Sequence, residues 1–395
     1  MKTIEILFWV ALFIIFYSYL GYGILLFLVI KLRRLFGIKK KFTGNEDYEP
    51  EVTLFVAAYN EKDYVDEKVK NSFSLNYPKE KVKHVWVTDG SDDGTPDLLR
   101  KYDGVEVYHE DARGGKIGAM NRGMKFVKTP IVIFSDGNTN LGEDSIQEIV
   151  NLFKDPKVGC VSGEKRIYQK GADAAAGAGE GLYWKYESTL KKWDAEWYSV
   201  VGAAGELFAI RTELWQEVEK DTLLDDFIIS LRVAMSGYTI QYNPNAYAIE
   251  TASANVKEEL KRKVRISAGG IQSVVRLSPL LNPFKYGTLS FQYISHRVLR
   301  WTLTPLLLLF ILPLNFTLAY NAGMNSENIY TLLFFGQVAF YSAALIGWFL
   351  ENREIKVKVL FIPYYFFIMN LSVYLGFRRY MKGNQSVKWE RAKRG

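Results

Sequence analysis

Four long stretches of this 395-residue chain carry no charged side chain, and they divide the rest of it. Ile6 to Ile30, Trp301 to Tyr320, Ile329 to Leu350 and Val359 to Phe377 are each close to the roughly 20 apolar residues that cross about 30 Å of hydrocarbon. The first run is long and no small-residue cleavage site follows it, so it reads as an anchor and not as a signal peptide. No comparable run lies between residues 31 and 300, and that stretch is expected to be a soluble domain. Within it, β-rich apolar runs at Val52–Ala57, Val82–Thr88, Val105–Tyr108 and Ile131–Ser135 read as strands. Helical patterns fall at Asp63–Leu75, Thr95–Lys101, Ile117–Lys128, Glu143–Lys154, Thr212–Lys220 and Asp226–Ser236. Strand–helix alternation predicts an α/β domain with a mostly parallel, Rossmann-like sheet. Ligands of such sheets collect at the C-terminal ends of the strands.

Two further segments interrupt the pattern. Gly171–Gly181, which reads GADAAAGAGEG, is a loop by composition, either a linker or a mobile active-site loop. Leu277–Arg300 mixes prolines, aromatics and scattered basic residues, and reads as an amphipathic segment lying on the membrane. The expected organisation is an N-terminal span (1–31), a soluble domain (45–275), an interfacial segment (276–300), three apolar runs (301–377) and a basic tail (378–395).

Composition narrows the function. At 49% apolar and 24% charged, the chain is not disordered. Its single cysteine, Cys160, excludes an intrachain disulfide and a cysteine zinc site. The three histidines, His84, His109 and His296, are too scattered for a histidine-rich metal site. A net charge of +7 suits either nucleic acid or lipid headgroups. The basic residues crowd the ends of the apolar runs, which favours membrane lipids and argues against nucleic acid. Lys31, Arg33, Arg34, Lys39, Lys40 and Lys41 directly after the first run predict an integral membrane protein with a cytoplasmic soluble domain. If all three later runs cross, the basic tail lies outside, against the charge rule. Either one later run is re-entrant or interfacial, or the charge rule fails here.

The polar motifs sit at the predicted strand ends. Tyr59-Asn60-Glu61 follows the first strand, and Asp89-Gly90-Ser91-Asp92-Asp93-Gly94-Thr95 follows the second. An acidic, glycine-rich turn holds a nucleoside or simply caps a helix. Arg113-Gly114-Gly115-Lys116 offers a cation at a helix start, for a phosphate or for solvent. Asp136, in Ser135-Asp136-Gly137-Asn138, follows a buried strand and needs a partner, such as a hard divalent cation or a capped helix end. Asp225-Asp226 opens a helix, where two acids complement the dipole or supply a general base. Lys261-Arg262-Lys263-Val264-Arg265 is a late basic cluster, facing phosphates or headgroups. There is no P-loop.

In this order, YNE, DGSDDGT, RGGK, SDGN, DD and the late basic cluster resemble the family-2 glycosyltransferases over about residues 50 to 300. The set looks most like the membrane-integrated cellulose, chitin, hyaluronan and poly-N-acetylglucosamine synthases. The resemblance implies a GT-A fold and an inverting, metal-dependent hexosyltransferase, using a UDP-hexose or UDP-N-acetylhexosamine and extending a β-linked polysaccharide. It implies that Tyr59, Glu61, Asp89, Lys116, Asp136 and Arg265 bind the nucleotide sugar, and that Asp136 and Asn138 hold Mg²⁺ or Mn²⁺. Asp226 matches the catalytic base of the family's Thr-Glu-Asp motif, here Leu224-Asp225-Asp226. Gly205, Glu206, Asp225 and Arg262 fall on the acceptor side.

Three departures stand out. Asn138 replaces the second acid of the family's Asp-x-Asp motif, while Arg262 and Ile266 replace the Gln and Trp of Gln-x-x-Arg-Trp. The aromatic residue helps hold the acceptor in processive relatives, so single addition to a lipid-linked acceptor stays open beside polymerisation. So does a non-catalytic membrane subunit that only binds nucleotide or glycan. Accessory export proteins or a homo-oligomer are further implied partners.

Overall fold

The computed structural model describes residues 1–38, 48–168, 174–251, 256–351, 353 and 357–383. Lys39, Lys40 and Lys41, the start of the Gly171–Gly181 segment and the tail beyond Gly383 lie outside them.

The predicted strands form one half of an eight-stranded sheet. β1 (Val52–Ala58), β2 (Val82–Asp89), β3 (Val105–Glu110) and β4 (Ile131–Asp136) are parallel, in the order β3-β2-β1-β4. Every residue of β1 is buried, as its run of Val, Leu, Phe and Ala requires for a strand covered on both faces. The chain steps from β1 outward to β3 and returns to β4 on β1's other side, so β1 lies at the topological switch. The sheet continues through β7 (Leu207–Arg211), β6 (Val158–Tyr168), β8 (Thr239–Thr251) and β5 (Asn140–Leu141). β7 is antiparallel to its neighbours, β6 and β8 are parallel to each other, and β5 is antiparallel at the far edge.

The helices match the pattern with two corrections. α1 (Lys2–Leu35) is the first apolar run, continued well beyond it. α2 (Lys62–Ser74), α3 (Thr95–Leu99), α4 (Gly115–Gly123, extended by a 3₁₀ turn at Met124–Phe126) and α5 (Ser145–Phe153) follow expectation to within a turn. The first correction is α6 (Ala174–Trp197), a helix across most of the segment read as a loop. Its glycines are outweighed by alanines, the best helix formers, and by the apolar turns that follow. The second is Thr212–Lys220, where the only helix is a 3₁₀ turn at Thr212–Leu214. Asn121 clasps the backbone there, donating to Val218 O at 2.8 Å and accepting from Val218 N at 3.1 Å, which holds it open.

α7 (Asp225–Met235) opens on the acid pair, and α8 (Val256–Arg276) carries the late basic cluster. The Leu277–Arg300 segment includes α9 (Pro283–Tyr293). Its Leu277, Leu280, Leu289 and Tyr293 are buried in the core cluster under the sheet, with Phe284 left outside. One face of this segment therefore belongs to the soluble domain. The later apolar runs form α10 (Leu303–Asn321), α11 (Ile329–Glu351) and α12 (Lys358–Met381). By length and composition α1, α10, α11 and α12 are long and apolar enough to cross a membrane.

Candidate active site

Strand register assembles the site. Ala57 pairs with Asp136 and Ala58 with Thr88, so the ends of β1, β2 and β4 meet at one edge of the sheet. On the outer side, Asn60 adopts φ 53°, which asparagine tolerates. It donates to Asp92 at 2.8 Å and accepts from the Asp92 amide at 3.0 Å, locking two of the polar turns together. The Tyr59 ring carries the Arg113 guanidinium 3.6 Å from its centre, a stacked cation–π pair. Glu61 starts α2 and lies against Gly137 of the Ser135–Asn138 turn.

Asp89 has a more specific position than the sequence indicated. Its two oxygens accept the Gly114 amide at 3.0 Å and the Gly115 amide at 2.7 Å. It therefore fixes the Arg-Gly-Gly-Lys turn at the N-terminus of α4. Gly90 beside it has φ 67°, and a β-carbon there would meet Arg113 Cβ at 2.9 Å, so only glycine suits this close approach.

The turn that Asp89 holds delivers Lys116 to the centre. Lys116 Nζ lies 2.9 Å from Asp136 Oδ1 and 3.3 Å from Asp225 Oδ2. Burial alone would lower the Lys116 pKa, but Asp136 and Asp225 overcome it and hold the ammonium charged. Burial also pushes the Asp136 pKa up, and Lys116 offsets this only in part. Asp226 sits beside this cluster with its pKa raised to about 7, first by burial and then by the negative charge of Asp225. A carboxylate in that range can take a proton near neutral pH.

The Gly202–Leu207 loop packs over the base. A β-carbon at Gly205 would lie 3.3 Å from Asp226 Oδ2, so the absence of a side chain keeps this side of the carboxylate open. Ala203 N donates to Ser230 Oγ at 3.0 Å, and Ser230 Oγ donates to Asp226 O at 2.6 Å, tying loop and helix together. Next to it, Glu206 pairs with Lys165 at 2.5 Å, and Lys165 also pairs with Glu250. Burial would raise the Glu206 pKa, but Lys165 and Arg262 bring it down to about 2. Arg262 itself is bidentate to Glu259, at 3.0 and 2.9 Å. Arg265 is exposed on α8 and, among the described residues, makes no ion pair with the Asp136–Asp225 cluster. Asn138 lies in the turn between β4 and β5.

Two functional-site lysines were not singled out from the sequence. Lys68 of α2 is fully buried beneath the Asp136 turn, donating to Ser135 Oγ and to Thr139 O, both at 2.7 Å. Burial lowers its pKa to about 7. Its signal was present: Val65, Lys68, Val69 and Ser72 share the spacing of the buried helix face. Lys165 had no such signal, because its partners, Glu206 before β7 and Glu250 in β8, are distant in sequence.

Among the described residues no group of three or more His, Cys, Asp or Glu side chains could hold a metal ion. Asp136 and Asn138 offer one carboxylate and one amide oxygen. That set suits a hard cation completing its shell on substrate phosphates, as Mg²⁺ commonly does.

The fold is of the GT-A class. A solved mannosyltransferase from Pyrobaculum calidifontis, in complex with GDP-Man and Mn²⁺, superposes with a TM-score of 0.72 at 20% identity, covering 96% of this chain and 99% of that one. The family described as "Glycosyltransferase like family 2" matches residues 50–269, and the chain belongs to that family. A poly-beta-1,6-N-acetyl-D-glucosamine synthase of Staphylococcus aureus (strain MSSA476) is 26% identical over 250 residues, 61% of this chain and 60% of that protein. A beta-monoglucosyldiacylglycerol synthase of Nostoc sp. is 30% identical over 212 residues, 49% of this chain and 43% of that protein. The chain thus spans about three fifths of the length of the first of these curated relatives.

Proposed function

We propose that this protein transfers a hexose or N-acetylhexosamine from a UDP-sugar to an acceptor hydroxyl at the membrane surface, with inversion and with Asp226 as general base. The observation that carries this is the placement of Asp226, its pKa raised to about 7, beside the Lys116–Asp136–Asp225 cluster at the strand ends of a family-2 fold. Asp226 takes the proton of the acceptor hydroxyl. The oxygen bonds to the anomeric carbon as that carbon's bond to the diphosphate oxygen breaks, and the nucleoside diphosphate leaves. Lys116 presents a fixed positive charge at the donor side, and Asp89 keeps its turn in place. Tyr59 and Glu61 line the nucleoside side. Mg²⁺ or Mn²⁺, held by Asp136 and Asn138 with the donor's phosphates, would neutralise charge on the leaving diphosphate. Arg265, exposed on α8, reaches the diphosphate only on donor binding in this reading.

The first reading of the acceptor is a growing β-linked polysaccharide, in keeping with the similarity to a poly-N-acetylglucosamine synthase. A second is a lipid-linked acceptor taking one sugar. It is supported by the similarity to a glycolipid synthase and by Trp301 packing edge-on, 5.2 Å, against Phe227 directly after the base. Trp301 leads straight into α10, so the base borders a membrane element. The test is a screen of radiolabelled nucleotide sugars in purified membranes, with and without EDTA, reading diphosphate release and product size. Release that EDTA stops and Mn²⁺ or Mg²⁺ restores is expected, with long product for the first acceptor and single addition for the second. No release from any donor would overturn the proposal.

A further inference from the structure

The contacts of α12 are at odds with its apolar composition. Heights along the membrane helices can be read from α1. Its outer end is marked by Trp9, which donates to Tyr330 OH at 3.2 Å, and by Phe8, which clusters with Ile311 and Leu318. Its middle is marked by Ser18, 2.7 Å from Thr304 Oγ1, and by Tyr19. Beyond that point α1 runs along α6 of the soluble domain, through Phe27 against Trp193 and a bidentate Arg34–Glu196 pair at 2.7 and 2.6 Å. α10 therefore leaves the level of Ser18 and ends at the outer level, and α11 starts there at Tyr330. Ten residues later α11 has reached Phe340, which packs on Phe366, which in turn packs on Tyr19 at 4.9 Å. α11 then continues to Gly347, where a β-carbon would lie 2.8 Å from Leu360 O. α12 thus begins on the side of the soluble domain.

Were α12 to cross, its next ten residues would rise roughly 15 Å and reach the level of Phe8. They do not. Asn370 accepts from Tyr19 OH at 2.6 Å, and Tyr374 OH donates to Pro305 O beside Ser18. Ser372 Oγ lies 3.3 Å from Ser267 Oγ, and a β-carbon at Gly376 would lie 2.7 Å from Ser267 Cβ and 2.8 Å from Ala268 N. Both partners are on α8, and a β-carbon on its Gly269 would press on Leu223 and Leu224, directly before the acid pair. From Phe366 to Gly376, α12 stays at one level and lies across the base of the soluble domain.

We propose that α12 is an interfacial helix docked on the bilayer surface at the catalytic side, that the described residues cross the membrane three times, through α1, α10 and α11, and that Arg378, Arg379 and Lys382 share the compartment of the active site. Val359, Ile362, Phe377 and Met381 are exposed on α12 and meet acyl chains. Arg378 and Arg379 end the helix at headgroup level, where anionic phosphates attract them. This removes the conflict with the charge rule, since Arg33 and Arg34 at the end of α1 and Arg378 and Arg379 at the end of α12 then lie on one side.

Single cysteines test the arrangement, because Cys160 is fully buried and serves as a silent background. Lys382→Cys, Lys101→Cys in the soluble domain and Ser326→Cys between α10 and α11 are treated with a membrane-impermeant maleimide in sealed vesicles of either orientation. Lys382→Cys and Lys101→Cys are expected to react from the same face, and Ser326→Cys only from the other. Reaction of Lys382→Cys with the Ser326→Cys pattern would overturn the proposal. Nitroxides at Phe367 and Phe377, in vesicles containing phosphatidylglycerol, give an independent reading: equal depths are expected, whereas a difference of about 15 Å would mean a crossing helix.

Discussion

At the scale of single residues, the chemistry depends on the charges around Asp226. Asp225 and Glu206 oppose its ionisation, and Lys116 favours it. The sign for activity follows directly. Below a pH of about 7 the carboxyl is increasingly protonated and cannot accept the hydroxyl proton, so turnover is expected to rise with pH through that region. Asp225→Asn removes the repulsion, so the acidic limb of the pH–rate profile is expected to move to lower pH. A limb that stays in place or moves up would show that another group controls the profile. Lys68→Met makes a second case. It leaves Ser135 Oγ and Thr139 O without their buried donor, at a cost of about 1–3 kcal/mol. Thermal unfolding of the detergent-solubilised protein should shift down accordingly, and an unchanged midpoint would show that the turn finds other partners.

At the scale of elements, what the sequence revealed depended on whether the physics was local. β1, β2 and β4 were legible because strands covered on both faces must be continuous apolar runs, and their acids were legible because each stands where such a run ends. The acid pair was legible because it opens α7, where acids complement the helix dipole. β6 and β8 were not, since glycines and charged residues break the apolar pattern of β6 and Asn243-Pro244-Asn245 breaks that of β8. With them went the Lys165–Glu206–Glu250 group, which exists only because β6 pairs with β8 and lies near the end of β7. Arg262 is similar: the family resemblance put it on the acceptor side, but its hold on Glu259 is visible only once α8 is formed. α12 is the converse. Its composition is that of a span, and only its packing on α8 sets it across the domain.

At the scale of the molecule, the soluble domain is clamped to the membrane helices by a buried polar group. Asp194 of α6 accepts from Tyr22 OH at 2.5 Å and Gln292 Nε2 at 3.1 Å, and lies 2.6 Å from His296 Nδ1. Arg297 pairs with Glu187 at 3.2 Å in the same layer, and Arg300 reaches from Glu187 to Ser18 O. Buried charges of this kind are satisfied only when all partners are present, which ties the position of the site to the first span. Trp301 then carries that position to Phe227 and so to the base. The central claim, sugar transfer by Asp226 at a site held against the membrane, is tested most directly with Asp226→Asn, measuring turnover and nucleotide-sugar binding on the same preparation. A turnover loss of roughly 10²–10⁴-fold with donor binding retained is the predicted result, and unchanged turnover would contradict the account.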